Sequence, residues 1–333
     1  MAVNYSGREY TVTIGTQDQS GQALGVATVD LIANHIFRLQ TVNDINFSGA
    51  FTTAEVRKSG RRIMTAEDRF QKYGGGVWTW DFDHIIENEA VAQVLLKAIG
   101  NGQATTTSMV MNEANLAANQ GYIDGAAGST DYTCGIIINN PDADQDRVMH
   151  SAVLQNLNLS CDAGTDGGRV HASGQFMTGY QPVIAADSTS PATTNSDWTN
   201  GLFTLTTTQI GGHDVTVKSF NINLENPANT IGHTLNSGVV ETDGYVRGGD
   251  VNVSGSITCK VDDVTVTYLS DWIADTNTLI TLESGGSWSI VVHAAKLTGH
   301  NSDWASDGAF VEIPFVGTTG TNGASSLCTI KMT

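Results

Sequence analysis

The carboxylates of Asp142-Ala-Asp144-Gln-Asp146 have the spacing that opens a calcium-binding loop. Such a loop also needs a glycine at its sixth position and a glutamate at its twelfth. Arg147 and Val153 stand there instead, so the segment reads as a solvated acidic turn. Four cysteines, Cys134, Cys161, Cys259 and Cys328, form no C-x-x-C pair. A chain this long needs no covalent staples, and reduced, buried thiols are expected. The eight histidines are scattered. The sequence holds no H-E-x-x-H, P-loop, G-x-G-x-x-G or G-x-S-x-G. No carboxylate pair forms an acid–base team. No enzymatic activity, cofactor or metal site is therefore expected. Asn4, Asn46, Asn158 and Asn252 each open an N-x-Ser triplet. Three of them fall in predicted strands, and Met1-Ala-Val-Asn-Tyr-Ser-Gly lacks the charged and apolar regions of a secretory leader. Glycosylation is not expected.

Charge narrows the partners. Thirty-four acids against sixteen bases leave a formal charge of −18. A binder of nucleic acid gains affinity by releasing counterions from phosphate, which requires the opposite sign. Such acidity repels polyanions. The bases are concentrated: Arg57, Lys58, Arg61, Arg62, Arg69 and Lys72, six of the sixteen, lie between residues 48 and 76 together with Glu55, Glu67 and Asp68. This stretch reads as a long loop, and its mixed charge suits a protein contact better than nucleic acid. A hydrophobic share of 40% excludes disorder, and no stretch approaches the roughly 20 apolar residues of a membrane span.

The elements that must position these residues are mainly strands. Val77-Trp78-Thr-Trp80-Asp-Phe82-Asp alternates strictly, so its aromatic face is expected in a core while Thr79, Asp81 and Asp83 point away. Residues 90–99 read as a helix with Val91, Leu95 and Ile99 inward, Asn88 as N-cap and Gly100 at C′. Strands are predicted over 42–47, 105–112, 132–139, 153–160 and 170–177. Residues 2–22 read as an N-terminal arm, with 15–21 as loop.

The pattern then recurs. An offset of 175 sets Val42-Asn-Asp-Ile45-Asn-Phe47 on Val217-Lys-Ser-Phe220-Asn-Ile222. The same offset sets Trp78, Trp80 and Phe82 on Val253, Gly255 and Ile257, and Val91 on Val266. A second helix is predicted over 265–275 with Leu269, Trp272 and Ile273 as its apolar stripe. Strands follow over 279–282, 287–293 and 310–316. Gly135-Ile-Ile-Ile138 matches Ser289-Ile-Val-Val292 at the shorter offset of 154, which assigns an insertion to the first copy near 112–130. Residues 1–183 are expected to form one unit, 184–200 a linker poor in apolar residues, and 201–333 a second unit. A strand-rich unit carried twice offers two equivalent neighbour contacts, the usual basis of a symmetric assembly.

The run from Val42 through Gly60-Arg-Arg62 to Val77-Trp-Thr-Trp-Asp-Phe and its helix resembles the tail tube proteins of tailed bacteriophages. So does Val217-Lys-Ser-Phe-Asn-Ile-Asn-Leu-Glu-Asn with Gly249-Asp-Val-Asn-Val-Ser-Gly-Ser-Ile-Thr and the helix after it. The resemblance implies two tandem β-sandwich or barrel domains, each with one flanking α-helix. It implies a structural virion protein of the tail, assembled in the host cytoplasm. Its rings would stack into a hollow tube that conducts the genome, three chains giving a pseudo-six-fold ring (six chains being the less favoured count). The implied partners are further copies of the chain, the tape measure, terminator and distal tail proteins, and DNA only as non-specific passing cargo, with no membrane.

Residue patterns lead in the same direction. Open antiparallel sheets leave reactive edges, and ring closure pairs them. A conduit for DNA should repel phosphate, as an acidic wall does. Thr79, Asp81, Asp83, Ser254, Ser256 and Thr258 are therefore expected to face the channel. Arg57, Lys58, Arg61, Arg62, Glu67, Asp68, Arg69 and Lys72 are expected in a loop that joins successive rings. The alternatives are a different tail ring, such as a distal tail or terminator protein, and a carbohydrate-binding β-domain, whose mark would be an exposed aromatic platform.

Overall fold

Strict alternation at residues 78–85 and 252–260 produces long strands, and the chain is mainly β with large antiparallel sheets. The computed structural model describes residues 10–17, 31–37, 43–47, 51–55, 63, 65, 68–73, 77–86, 89–100, 108–111, 122–123, 133–184, 205–236, 239–284, 288–304, 308–319 and 326–332. The first half contributes β1 (Thr11–Gln17), β2 (Leu31–Phe37), β3 (Phe51–Glu55), β4 (Arg69–Tyr73), β5 (Trp78–Ile85), β6 (Ser108–Met111), β7 (Tyr122–Ile123), β8 (Cys134–Asn139), β9 (Arg147–Asp162), β10 (His171–Thr178) and β11 (Val183–Ile184). The second half contributes β12 (Thr207–Ile210), β13 (His213–Asp214), β14 (Val217–Glu225), β15 (Asn229–Ile231), β16 (Thr234–Asn236), β17 (Val239–Glu241), β18 (Gly244–Val246), β19 (Asn252–Lys260), β20 (Asn277–Ser284), β21 (Trp288–Leu297), β22 (Asn301–Asp303), β23 (Phe310–Thr318) and β24 (Cys328–Met332). Two α-helices stand among the described residues, α1 (Glu89–Ile99) and α2 (Thr265–Ile273).

The strands of the main sheet form three antiparallel groups around the largest apolar cluster, while β3·β4, β15·β18·β7 and β16·β17 pair apart from it. The first runs β2·β1·β8·β9·β11. The second runs β13·β12·β20·β21·β24·β6. The third runs β5·β10·β9·β14·β19·β23 and draws three strands from each half. β9 and β21 are long enough to serve two groups each, so the groups are continuous with one another. Val12, Trp80, Phe176, Ile222, Ile257, Ile290 and Ile330 belong to the same buried cluster, which therefore spans both halves.

Several expectations need correction. Residues 10–17 are not an arm: β1 lies between β2 and β8, with Val12 and Ile14 fully buried. Thr11-Val-Thr-Ile14 alternates as a half-exposed strand would, yet Thr13 on its other face is buried as well. Residues 48–76 are not wholly loop, because β3 pairs with β4 as a hairpin. In the second helix Tyr268 and Thr265 are the buried residues, while Trp272 and Ile273 are exposed. Gly100 follows α1 without a left-handed φ; a Cβ there would lie 3.0 Å from Leu96 O and from Met109 Cγ. It is glycine for close packing. Asn88 lies outside the described residues.

β9 bends between groups at Ser151, whose φ of 50° is unusual for a side-chain-bearing residue. Neighbours hold this bend in place. Gln17 Oε1 accepts from Ser151 N–H at 2.9 Å. The Tyr245 hydroxyl donates to Ser151 O at 2.7 Å and accepts from Gly179 N–H at 3.0 Å. Thr178 Oγ1 donates to His150 O at 2.9 Å. All these groups are buried, so each bond removes a desolvation penalty as well as adding an attraction. Burial pushes the Tyr245 phenol up and the His150 imidazole down. His150 Nε2 lies 3.2 Å from Gln181 O, so the neutral ring carries its proton on Nε2.

Two outcomes test this arrangement. Tyr245→Phe strands the buried Ser151 carbonyl and Gly179 amide and is expected to lower stability by about 1–3 kcal/mol in urea titration; unchanged stability would remove the phenol from the account of the bend. His150 resists protonation when folded, whereas the unfolded ring takes up a proton near pH 6.5. The unfolded chain binds more protons below that point, so the melting temperature should fall as pH drops through it. His150→Gln should flatten this slope.

Candidate functional site

The third strand group has one apolar face and one wet face. Trp80, Phe82 and Phe176 stack inward, with ring centroids 5.7–6.2 Å apart. The opposite face carries all six residues singled out on it. Asp81 and Asp83 are exposed, and Thr79, Ser254, Ser256 and Thr258 are half-buried. Register adds others that sequence reasoning missed. Asp81 stands opposite Gln175, which stands opposite Asn156. Ser256 stands opposite Asn221 and Pro314, and Thr258 opposite Glu312. The polar positions of Leu157-Asn158-Leu159-Ser160 and Asn221-Ile222-Asn223-Leu224 were visible as alternation; their place on one surface needed the pairing.

This face is a lattice of amides and carboxylates. Gln175 Nε2 donates to Asp81 Oδ1 at 2.8 Å. Asn223 Nδ2 donates to Glu225 Oε1 at 2.8 Å, and the Asn156 side chain accepts from Gln175 N–H at 3.1 Å. The six segments hold Asp81, Asp83, Asp162, Glu225 and Glu312 but only two lysines, Lys218 and Lys260, both at one end. Two shallow depressions open on it, both lined largely by Asn, Gln, Ser, Thr and acidic side chains.

The surface is made continuous by a seam between the halves, where residues 156–162 of β9 pair with residues 219–225 of β14. Side chains reinforce it. Arg247 donates to Leu154 O at 3.0 Å, to Ala98 O at 2.8 Å and to Asn226 O. Asn226 Nδ2 donates to Ile99 O at 2.7 Å. Two residues of the second half therefore cap the C-terminal carbonyls of α1, where a cation is also favoured by the helix dipole. Gln155, at the bulge of β9, bonds both the N–H and the C=O of Ala228.

Beside β5, residues 43–47 are held by Asn46 N–H to Thr79 O at 3.0 Å. The indoles of Trp78 and Trp80 donate to Phe47 O and Asn43 O. Both tryptophans are fully buried, so they form no aromatic platform.

The remaining candidates are spread out. Arg57, Lys58, Arg61, Arg62 and Glu67 lie outside the described residues. Arg69 and Lys72 belong to β4, where Arg69 stands opposite Glu55 and Lys72 opposite Thr52 in register. Asp68 is buried and accepts from Thr65 N–H and Oγ1, both at 2.8 Å, so it shapes the turn into β4. Asp142 and Asp144 are exposed in a short 3-10 turn, while Asp146 is buried and accepts from Asn140 N–H. All four cysteines are free and buried. Burial pushes the thiols of Cys134, Cys259 and Cys328 up to about 12, which removes their nucleophilic form at neutral pH. Among the described residues no group of His, Cys, Asp and Glu could hold a metal, and no helix is long and apolar enough to cross a membrane.

A family model described as phage tail tube protein matches residues 15–317. No curated protein matches the chain.

The seam is open to test. Arg247→Ala leaves three carbonyls without their charged donor and is expected to lower stability by about 1.5–3 kcal/mol. Arg247→Lys should recover only part, since an ammonium lacks the planar fork. Equal stability of all three proteins in thermal unfolding would show that backbone pairing alone holds the halves together.

Proposed function

The chain belongs to the phage tail tube protein family, and on that premise we propose that it polymerises as stacked rings of three chains into a hollow tube that conducts the genome. One observation carries the reading: both halves build one antiparallel sheet whose exposed face bears carboxylates and amides. A wall of that chemistry repels a passing phosphate backbone and offers it little cationic grip beyond Lys218 and Lys260 at one end. Thr79, Asp81, Asp83, Ser254, Ser256 and Thr258 would then face the bore. The structural role in the tail follows from the family. The stoichiometry, the stacking, assembly in the host cytoplasm, and contacts with tape measure, terminator and distal tail proteins are part of the proposal.

The pseudo-six-fold count rests on reading the halves as copies, with units at 1–183 and 201–333 joined by 184–200. Chain path supports this. The succession β5, α1, β8, β9, β10 has its counterpart in β19, α2, β20, β21, β23, which sets Gly135–Ile138 of β8 on β20 and not on Ser289–Val292 of β21 as the offset of 154 had it. β1 pairs with β2 and β8 as β12 pairs with β13 and β20. The β3·β4 hairpin carries the basic segment between its strands and would reach the next ring.

Electron microscopy of the purified chain tests the proposal. Hollow filaments or stacked rings are expected, with Asp81 and Asp83 on the inner wall of a reconstructed map. Deleting residues 48–76 should leave single rings or monomers. Solid particles, or a map placing those carboxylates on the outside, would overturn the reading, and normal tubes from the deletion would remove the hairpin from ring stacking.

A further inference from the structure

We propose that the open flank of the second half, formed by α2, β22 and Trp304, is the seat of a second copy of this chain, which docks residues 43–47 there as β14 docks on β9. The inference rests on the ring assembly proposed above and names the surfaces that close the ring.

The sheet itself supplies the argument. Crossing the second half from the seam, the order is β14, β19, β23, β22. Crossing the first half toward the seam, it is residues 43–47, β5, β10 and the end of β9. Residues 43–47 thus hold the place of β14, and β22 holds the place of the end of β9. One pair of edges is joined inside the chain. The other pair, the outer edges of residues 43–47 and of β22, has no strand against it among the described residues. An unpaired edge is a template for the strand that complements it, and here the complement exists on every other copy.

Burial points to the same surface independently. The offset of 175 equates Val266 with Val91 and Ile273 with Ala98. Val91 and Ala98 are 2% and 0% exposed, whereas Val266 and Ile273 are 68% and 75% exposed. Trp304, just beyond β22, is 72% exposed, while Cys161, in the matching place within the seam, is 3% exposed. α1 packs on β1, β2, β6 and β9 of its own half and on β24 of the second, whereas α2 packs chiefly on β21. On α1 the cover also includes Arg247 and Asn226 of the second half. For α2 the unit that would supply it is the first half of another chain.

The edge of residues 43–47 is guarded in the meantime. Asp44 Oδ1 accepts from Ile45 N–H at 2.8 Å, and Ile45 O accepts from Phe47 N–H at 2.9 Å. Local satisfaction of backbone groups and the charge at Asp303 discourage indiscriminate pairing, while Asp44 is ion-paired with Arg147.

Cross-linking in the assembled full chain tests this. By the register of the internal seam, Asn46 falls within one cross-strand pair of Asn301, with both side chains on the wet face. The doubly substituted chain Asn46→Cys/Asn301→Cys, treated with a short bis-maleimide, should give linked species that end at three chains. Asn46→Cys/Ser302→Cys, with the second thiol on the opposite face, should not link. The four native cysteines are buried and give little background. In parallel, Trp304→Asp/Ile273→Asp changes two exposed residues. It should keep the wild-type melting temperature as an isolated chain and fail to form rings. Wild-type rings that neither link at Asn46 and Asn301 nor are lost in the aspartate variant overturn this interface and leave the tube reading standing. A wild-type chain that stays monomeric at assembly concentrations overturns both.

Discussion

Everything in this molecule depends on the backbone hydrogen bonds between the end of β9 and β14. A β-strand exposes a row of donors and acceptors along each edge, and a buried row without partners is among the costliest faults a fold can have. The seam satisfies those rows with the other half of the same chain. The two halves do not merely touch, since they share a sheet and one core. Arg247, Asn226 and Gln155 act on this constraint from the side, satisfying carbonyls that the geometry of the junction leaves without ladder partners.

The seam also fixes which way every side chain points. Apart from bulges at Gln155 and Lys218, register propagates from β5 to β23, so one alternation sets Trp80 and Ile257 inward and Asp81 and Ser256 outward across both halves. Close approach of neighbouring backbones is part of this. A Cβ at Gly255 would lie 2.1 Å from Asn221 O, and one at Gly174 2.4 Å from Asn156 O. These glycines let Phe315 and Phe82 lie over the strand opposite them. Packing on the dry side thereby positions amides and carboxylates on the wet side.

How far this was legible in the sequence depended on how each element is buried. β5 was readable because one face is wet and the other dry, which is what alternation reports. The same reasoning placed Thr79, Asp81 and Asp83 on one face. It failed for β1, whose short alternation of Val12 and Ile14 with threonines does not reveal that both faces are buried, and for α2, where Val266, Trp272 and Ile273 face outward. Such an outward face cannot be distinguished from a core face by periodicity alone. The β3·β4 hairpin was hidden by charge density, although Phe51-Thr-Thr and Phe70-Gln-Lys-Tyr73 are good strand formers. One finer point needed pairing. Asn46 N–H reaches Thr79 O, and Asn223 stands opposite Ser254, so Ile45 matches Ile222 and not Phe220. The offset there is two residues longer than along β5, and parity is kept.

Charge sets the terms on which copies of this chain can meet. At −18 each, two chains repel at long range, and nothing in the acidic sheet face steers them together. Any association must therefore rest on short-range terms: paired strand edges and apolar area removed from water. These are the properties of the open flank, with a free β22 edge beside exposed Val266, Ile273 and Trp304. The repulsion is not a defect in a protein of this family. It falls off within about 8 Å at physiological ionic strength, so it penalises loose encounters of acidic faces more than a contact in which edges are already paired. An acidic chain that associates through its edges can leave the carboxylates of the wet face out of the contact.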